Sequence, residues 1–443
     1  MKVLTQNDLA DLKANFEDNP SNRLMQNAVA QSDVNEIALD RSITNEMTHP
    51  VSNVLDHWAP TNQKMSGRCW LFAGLNQFRV NTMEIMNTKQ FEFSQNYLMF
   101  WDKIERANYL LEAIIETADR PVDDRTVAWL LDRPLADAGQ WDMFVNLVKK
   151  YGVVPKTVMP ETESSGNTGR MNFILNYQFS QGAKRLRELY ASEVGLDEIQ
   201  RAKREVLKVI YNVLCIHLGT PLNRFDWQWT DKDGEFHRDA GITPLEFADK
   251  YVTTPMDEFV CLVHDPRTTS PKGHTFTIEY LGNVVDGSPV KYLNVDIDLI
   301  KDITLSLLLE GQPVWMGCDT GKQAHRKLGL WDAKLYDYEG VYGDDFSLDK
   351  AARLEYNQTR MTHAMLFTGV DLVDGTPRRW RVENSHGAEV GDKGFHLMND
   401  SWFDEYVFEI AAPKTYLPPE LLKALDENPI VLPPWDPMGA LAA

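Results

Sequence analysis

The apolar pattern of this chain changes period near Pro255, and that change limits what it can fold into. Before it, apolar residues recur at helical spacing. Leu71, Leu75, Phe78 and Ile85 do so after Cys69, and Tyr97, Trp101, Ile104, Leu111 and Ile114 do so within "FSQNYLMFWDKIERANYLLEAIIETAD". After it come short β-rich runs, "EFVCLVHD", "TFTIEYL", "PVWMGCD", "HAMLFTGVDLV", "RRWRVENS" and "EYVFEIA". Turn formers separate them, Asp286-Gly287 and Asp374-Gly375 included. Helices first and strands second predict an α+β fold, a helical half and an antiparallel β half with a cleft between them.

Five segments follow. Residues 1–55 are polar and broken and read as an arm packed on the body. Residues 56–175 form the helical half, in which Cys69 opens a helix, Ser94 caps the next one, and "WDMFVNLVKKYG" stops at Gly152 with Lys149 and Lys150 in its last turn. Residues 176–255 are a helical insertion, whose stretch from Ser180 to Leu218 places Ile199, Val206, Val209, Val213 and Ile216 on one face and Lys203, Arg204 and Lys208 on another. Cys215 and His217 are two apart there and point different ways, which excludes a shared metal. Residues 256–412 are the β half. Residues 413–443 are a tail: a short helix in "PELLKALDEN", a segment "PIVLPPWDP" too rich in proline for helix or central strand, and a small apolar end, "MGALAA".

With 443 residues and 43% hydrophobic content the chain can bury a full core. A net charge of −20 repels phosphate backbones and excludes nucleic acid as a first expectation. There is no apolar run of signal-peptide or membrane-spanning type. Four cysteines (Cys69, Cys215, Cys261, Cys318) do not make a disulfide framework, so a cytoplasmic protein is expected. The chain lacks H-E-x-x-H, paired C-x-x-C and a Walker-type loop, and no metal or other cofactor is expected.

The chemistry concentrates in "NQKMSGRCWLF". A thiol at a helix N-terminus is acidified by the dipole, and thiolate is the reactive form. The papain-type signature C-G-[SA]-C-[WY] appears here as "SGRCW", with Ser66 in place of the first cysteine and Arg68 in place of the small residue. Among ten histidines, His363 opens an apolar strand, and the hairpin that follows brings Asn384 alongside it. An Asn carbonyl can hold an imidazole in the tautomer that a cysteine needs. His274 also starts a strand but has no such Asn; His57, His264 and His396 read as surface or packing residues. Gln63 stands six residues before Cys69, placed as an oxyanion donor. Cys69, His363, Asn384 and Gln63 are the expected catalytic residues.

These residues resemble the papain clan, and the rest of the chain resembles its bleomycin hydrolase / aminopeptidase C family. The separation of Cys69 and His363, 363 − 69 = 294 residues, exceeds the papain range of about 130–150. Large helical insertions would account for it. "GQWDMFVNLVKKYGVVPK", "KLGLWDAKLYDYEGVYG", "MTHAMLFTGVDL" and "PPWDPMGALAA" carry the resemblance along the chain. It implies a papain-like two-subdomain fold, peptide substrates and a homohexameric barrel with active sites facing an internal chamber. It also implies a C-terminal arm lying in the cleft, with Ala442 and Ala443 meeting the substrate amine and Ala443 open to trimming. Ala138-Gly139 stands for the Gly-Gly segment of the S2 region, Trp70 is a further substrate-binding residue that the resemblance implies, and "NSHG" places His386 where the family has tryptophan. His386 could add a second titrating group or merely face solvent. The expected function is a cytosolic cysteine aminopeptidase. The alternatives are a thiol oligopeptidase or endopeptidase with an open groove, and an inactive peptide-binding barrel.

Overall fold

The computed structural model describes residues 1–55, 58–132 and 134–442; His57 and Ala443 therefore lie outside the described residues. It is an α+β, papain-like architecture. The helix Cys69–Ile85 is buried along most of its length and packs against the helices Gln95–Glu116 and Trp141–Tyr151 on one side and the sheet on the other. The helix starts follow the sequence reading. Ser94 accepts from the Tyr97 N–H, and Trp141–Tyr151 ends at Gly152 with φ 69°. A Cβ there would lie 2.2 Å from the Pro244 carbonyl oxygen, so both conformation and space require glycine.

The insertion departs from the expectation of one continuous stretch. It is a hairpin of two helices, Gly169–Ala191 and Leu196–Leu218, broken where Glu193 takes φ 56° and Gly195 caps the second. The buried stripe of the second helix is Ile199, Val206, Ile210, Leu214 and Leu218, while Ile216 is 80% exposed. Lys203 turns inward and pairs with Glu112 on the neighbouring helix. Of the expected apolar face only Ile199 and Val206 are buried, and contact with the first helix, where Val206 packs on Gly182, sets which side turns inward. An antiparallel hairpin, Phe225–Thr230 with Phe236–Ile242, completes the insertion.

All six β-rich runs contribute strands to one large sheet. The sheet is mixed rather than antiparallel. Phe259–Val263 runs parallel to Tyr292–Asn294, Leu330–Trp331 parallel to Phe395–Asn399, and the tail strand Ile430–Leu432 parallel to Thr275–Ile278. The helix Ile297–Leu309 connects Tyr292–Asn294 to Val314–Cys318, two strands that are not neighbours in the sheet. Val314–Cys318 lies between Val407–Pro413 and His363–Val373. The hairpin of His363–Val373 with Thr376–Glu383 turns at Asp374 (φ 51°) and Gly375 (φ 82°), the left-handed pair of a type I′ turn. The arm holds four short helices. The first, Gln6–Asp18, has no buried residue, whereas Ala38 and Leu39 pack on Leu335, Tyr336 and Val341.

One buried carboxylate joins the halves. Glu383, the last residue of its strand, accepts from Arg79 (3.0 Å) and Asn76 (2.9 Å) on the helix Cys69–Ile85 and from the Trp58 indole. Removing one partner of such a pair leaves a charge in apolar surroundings. Arg79→Met should therefore lower unfolding stability by about 3–5 kcal/mol, which denaturant titration of the full chain would measure.

Candidate active site

Cys69 begins its helix with Arg68 at the cap position and no side-chain cap bond; the Leu71 and Phe72 N–H groups donate to the Arg68 carbonyl, and that of Trp70 acts on the Cys69 thiol. Arg68 is itself buried, forked onto Glu161 at 2.9 and 2.6 Å, and its guanidinium Nε donates to Ser66 Oγ at 3.0 Å. This explains a long basic residue where the papain-type signature has a small one. The Cys69 Sγ accepts the Ala364 N–H at 3.4 Å, and His363, the residue before Ala364, acts on its thiol. Residues 295 positions apart in sequence thus touch.

His363 enters the sheet opposite Cys318, at the end of its strand nearest Cys69. Its Nε2 lies 2.9 Å from Asn384 Oδ1, which also accepts the Ser385 N–H at 2.8 Å. Since Asn384 Oδ1 can only accept, Nε2 carries a proton and Nδ1 is the nitrogen left to exchange one with sulfur. Asn384 Nδ2 points at His396 Nε2, 3.5 Å away, so the buried His396 packs behind the asparagine.

Gln63 is held at both ends of its amide. Ser385 Oγ donates to Oε1 at 2.5 Å, and Nε2 donates to the Ser66 carbonyl; its backbone N–H donates to the Ser385 carbonyl at 2.8 Å. Ser385 went unnoticed in the sequence, although its place beside Asn384 was a usable signal. His386 lies flat over His363, ring centres 5.3 Å apart and planes at 9°, and so covers the imidazole rather than facing solvent. Burial first, then the charges of His363 and Arg326, lower its pKa to about 4. It is neutral at neutral pH and does not add a titrating step there.

The electrostatics of the pair oppose burial. Burial is the largest single influence on Cys69 and acts to raise its pKa. The charge and hydrogen bond of His363, with the N–H groups of Ala364 and Trp70, outweigh it and hold the thiol below its ordinary value. For His363, burial acts downward, but Cys69 and then Asn384 raise it on balance. Together the shifts favour thiolate beside imidazolium.

The cleft beside this pair holds a cavity of about 510 Å³, walled by Ala138, Met143, Thr362 and the tail residues Trp435, Leu441 and Ala442. Trp70 is fully buried, donates its indole N–H to the Asp137 carbonyl at 2.7 Å, and lies under Gly139, where a Cβ would come within 2.5 Å of its ring. It supports the Ala138-Gly139 segment from below. Arg106, missed in the sequence, donates to Ala138 O (2.6 Å) and Ala442 O (3.3 Å) while paired with Asp102.

Two changes follow. Cys69→Ala should abolish peptide turnover with unfolding stability retained. The pH profile of kcat/KM should be a two-limbed bell. Its acid limb marks formation of the thiolate, displaced downward, and its alkaline limb marks loss of the imidazolium proton, displaced upward. A third ionisation near neutrality, lost in His386→Trp, would contradict the neutral ring.

The model of the Peptidase C1-like family matches residues 3–439. Aminopeptidase C of Listeria monocytogenes is 40% identical, covering 99% of this chain and 99% of its own length. Human bleomycin hydrolase is 42% identical, with 99% of each chain covered. The crystal structure of PepW from Lactobacillus rhamnosis HN001 superposes with a TM-score of 0.97 at 43% identity, over 99% of both chains. The chain belongs to the Peptidase C1-like family and is a papain-like cysteine peptidase of the aminopeptidase C and bleomycin hydrolase group.

Proposed function

We propose that this protein is a cysteine aminopeptidase that releases N-terminal residues from short peptides through a Cys69-His363-Asn384 acyl-enzyme mechanism, its C-terminal tail blocking one end of the cleft. Cys69 Sγ attacks the scissile carbonyl carbon, and the resulting oxyanion sits between Gln63 Nε2 and the Cys69 N–H. His363, the imidazolium of the resting pair, protonates the leaving amine as the C–N bond breaks. It then takes a proton from water, whose oxygen attacks the thioester, and the released carboxylate restores the pair. Asn384 keeps the ring aligned through both transfers.

The observation that carries the exopeptidase reading is the seating of the tail. After the edge strand Ile430–Leu432, Asp436 is gripped by Arg267 at 2.9 and 3.1 Å, and Arg267 is held in turn by Asp265 at 2.7–3.1 Å. The Arg125 guanidinium lies 3.7 Å over the Trp435 ring. Pro437–Ala442 then forms a 3₁₀ turn with Met438, Leu441 and Ala442 buried, and Tyr292 and Arg106 donate to the Met438 and Ala442 carbonyls. A tail so anchored ends in the groove beside Ala138. Seated there, the tail excludes a longer peptide from that end of the groove.

The reading includes a cytosolic enzyme and a homohexamer. No described helix is long and apolar enough to cross a membrane. A solution mass near the 50.7 kDa of one chain would overturn the hexamer.

A fluorogenic dipeptide substrate should be cleaved far faster with a free amino terminus than after acetylation. Equal cleavage of the two forms would favour an oligopeptidase with an open groove. Deleting residues 437–443 should open the cleft and produce cleavage of N-blocked peptides; if those remain intact while the free-amine substrate still turns over, the tail is not the gate.

A further inference from the structure

Asp137 is a buried carboxylate that the reaction as described does not use. It joins the loop of residues 134–140 to the segment that carries the nucleophile. One oxygen, Oδ2, accepts the Gly67 N–H at 3.0 Å and the Thr168 hydroxyl at 2.5 Å. The other, Oδ1, accepts from the Lys103 ammonium at 2.7 Å and the Asn172 amide at 2.9 Å. Lys103 is fully buried and also donates to the Leu135 and Ala136 carbonyls, at 2.6 and 2.8 Å. Burial on its own would raise the carboxyl, but Lys103 and the hydrogen bonds hold it far below the usual carboxylate range. The site is therefore a fixed negative charge at neutral pH, with every neighbour oriented toward it.

The Gly67 N–H and the Ser66 carbonyl are the two ends of one planar peptide unit. Asp137 holds the N–H end, and Gln63 Nε2 donates to the carbonyl end. An anion at the N–H draws electron density toward the carbonyl oxygen, strengthens it as an acceptor and fixes the plane in which it points. With Ser385 gripping Gln63 Oε1, the side-chain amide has one free direction left, that of its second Nε2 hydrogen. Ser66 occupies the first cysteine position of the papain-type signature, and all four cysteines are free, so no disulfide ties this segment. The carboxylate supplies the tie.

We propose that Asp137 is a positioning residue for the oxyanion hole, acting through the Ser66–Gly67 peptide to aim the Gln63 amide. This inference rests on the reading of Gln63 as an oxyanion donor, and its test separates the two.

In the full-length enzyme, kcat and KM for a free-amine dipeptide substrate are measured for wild type, D137N, Q63A and the double variant, each checked by thermal unfolding. Loss of an oxyanion donor should lower kcat in Q63A by about 10²-fold or more. Misaiming it in D137N should lower kcat by about tenfold with KM little changed, and D137N should cost less than about twofold on the Q63A background. Thr168→Val removes one bond to the same carboxylate without changing its charge. It should lower kcat by a few-fold in wild type only, and it carries the comparison if D137N does not fold. A D137N or T168V loss of the same factor in both backgrounds overturns the inference and leaves Gln63 in its role. The absence of any kcat loss in either variant overturns it equally. An unchanged kcat in Q63A overturns the oxyanion reading itself, and the inference with it.

Discussion

The contact between Cys69 and His363 requires a helix start and a strand start, on opposite halves of the molecule, to meet within hydrogen-bond reach. Their meeting depends on Glu383. This carboxylate sits one residue before Asn384 and is buried against Arg79 and Asn76, which face it from the second and third turns of the helix Cys69–Ile85. The residue that pins helix to sheet is thus next in the chain to Asn384, the partner of the His363 ring. A shift of the sheet by one register position would move Asn384 to the wrong face and break the Glu383 pair at once. The ion pair contributes specificity of docking more than net energy, since its desolvation offsets much of its attraction.

The same device recurs around the cleft. Arg68 with Glu161, Lys103 with Asp137, Arg106 with Asp102, and Arg267 with Asp265 and Asp436 each pair a cation with a carboxylate at low exposure. The cations of these pairs also reach Ser66, the Leu135, Ala136 and Ala138 carbonyls and the tail. Loops carry unsatisfied carbonyl groups, and a buried guanidinium or ammonium has enough donors to satisfy several of them together. In a chain whose cysteines are all free, this is how the loop segments of the active site become as rigid as its helices and strands.

Cys69, His363 and Asn384 were readable from sequence because each is tied to a local pattern: the start of an apolar-periodic helix, the start of an apolar strand, and the strand after a tight Asp-Gly turn. The charged residues that support them were not. Periodicity assigns a charged residue to the solvent face, so Lys103 and Arg106 in "WDKIERANYL" read as the polar side of a helix. In the structure they point into the protein because the carbonyls and carboxylates of a loop more than thirty residues away need donors. Lys203 was misplaced for the same reason. The large helical insertion was visible as a composition, but which side of its second helix faces inward is decided by the partner helix.

The tail shows where sequence reasoning stops for a further reason. Its prolines excluded helix and central strand, and the chain does run as an edge strand followed by a 3₁₀ turn. Such exclusions say what a segment cannot form, not where it comes to rest. Its resting place is set by Arg267, which lies 169 residues before Asp436 and has no local pattern in common with it. Asp436 also accepts the Met438 N–H at 3.0 Å, so the residue that meets Arg267 starts the turn that carries Ala442 into the groove. Anchor and turn share one side chain, Asp436, whose carboxylate meets Arg267 and also accepts the Met438 N–H.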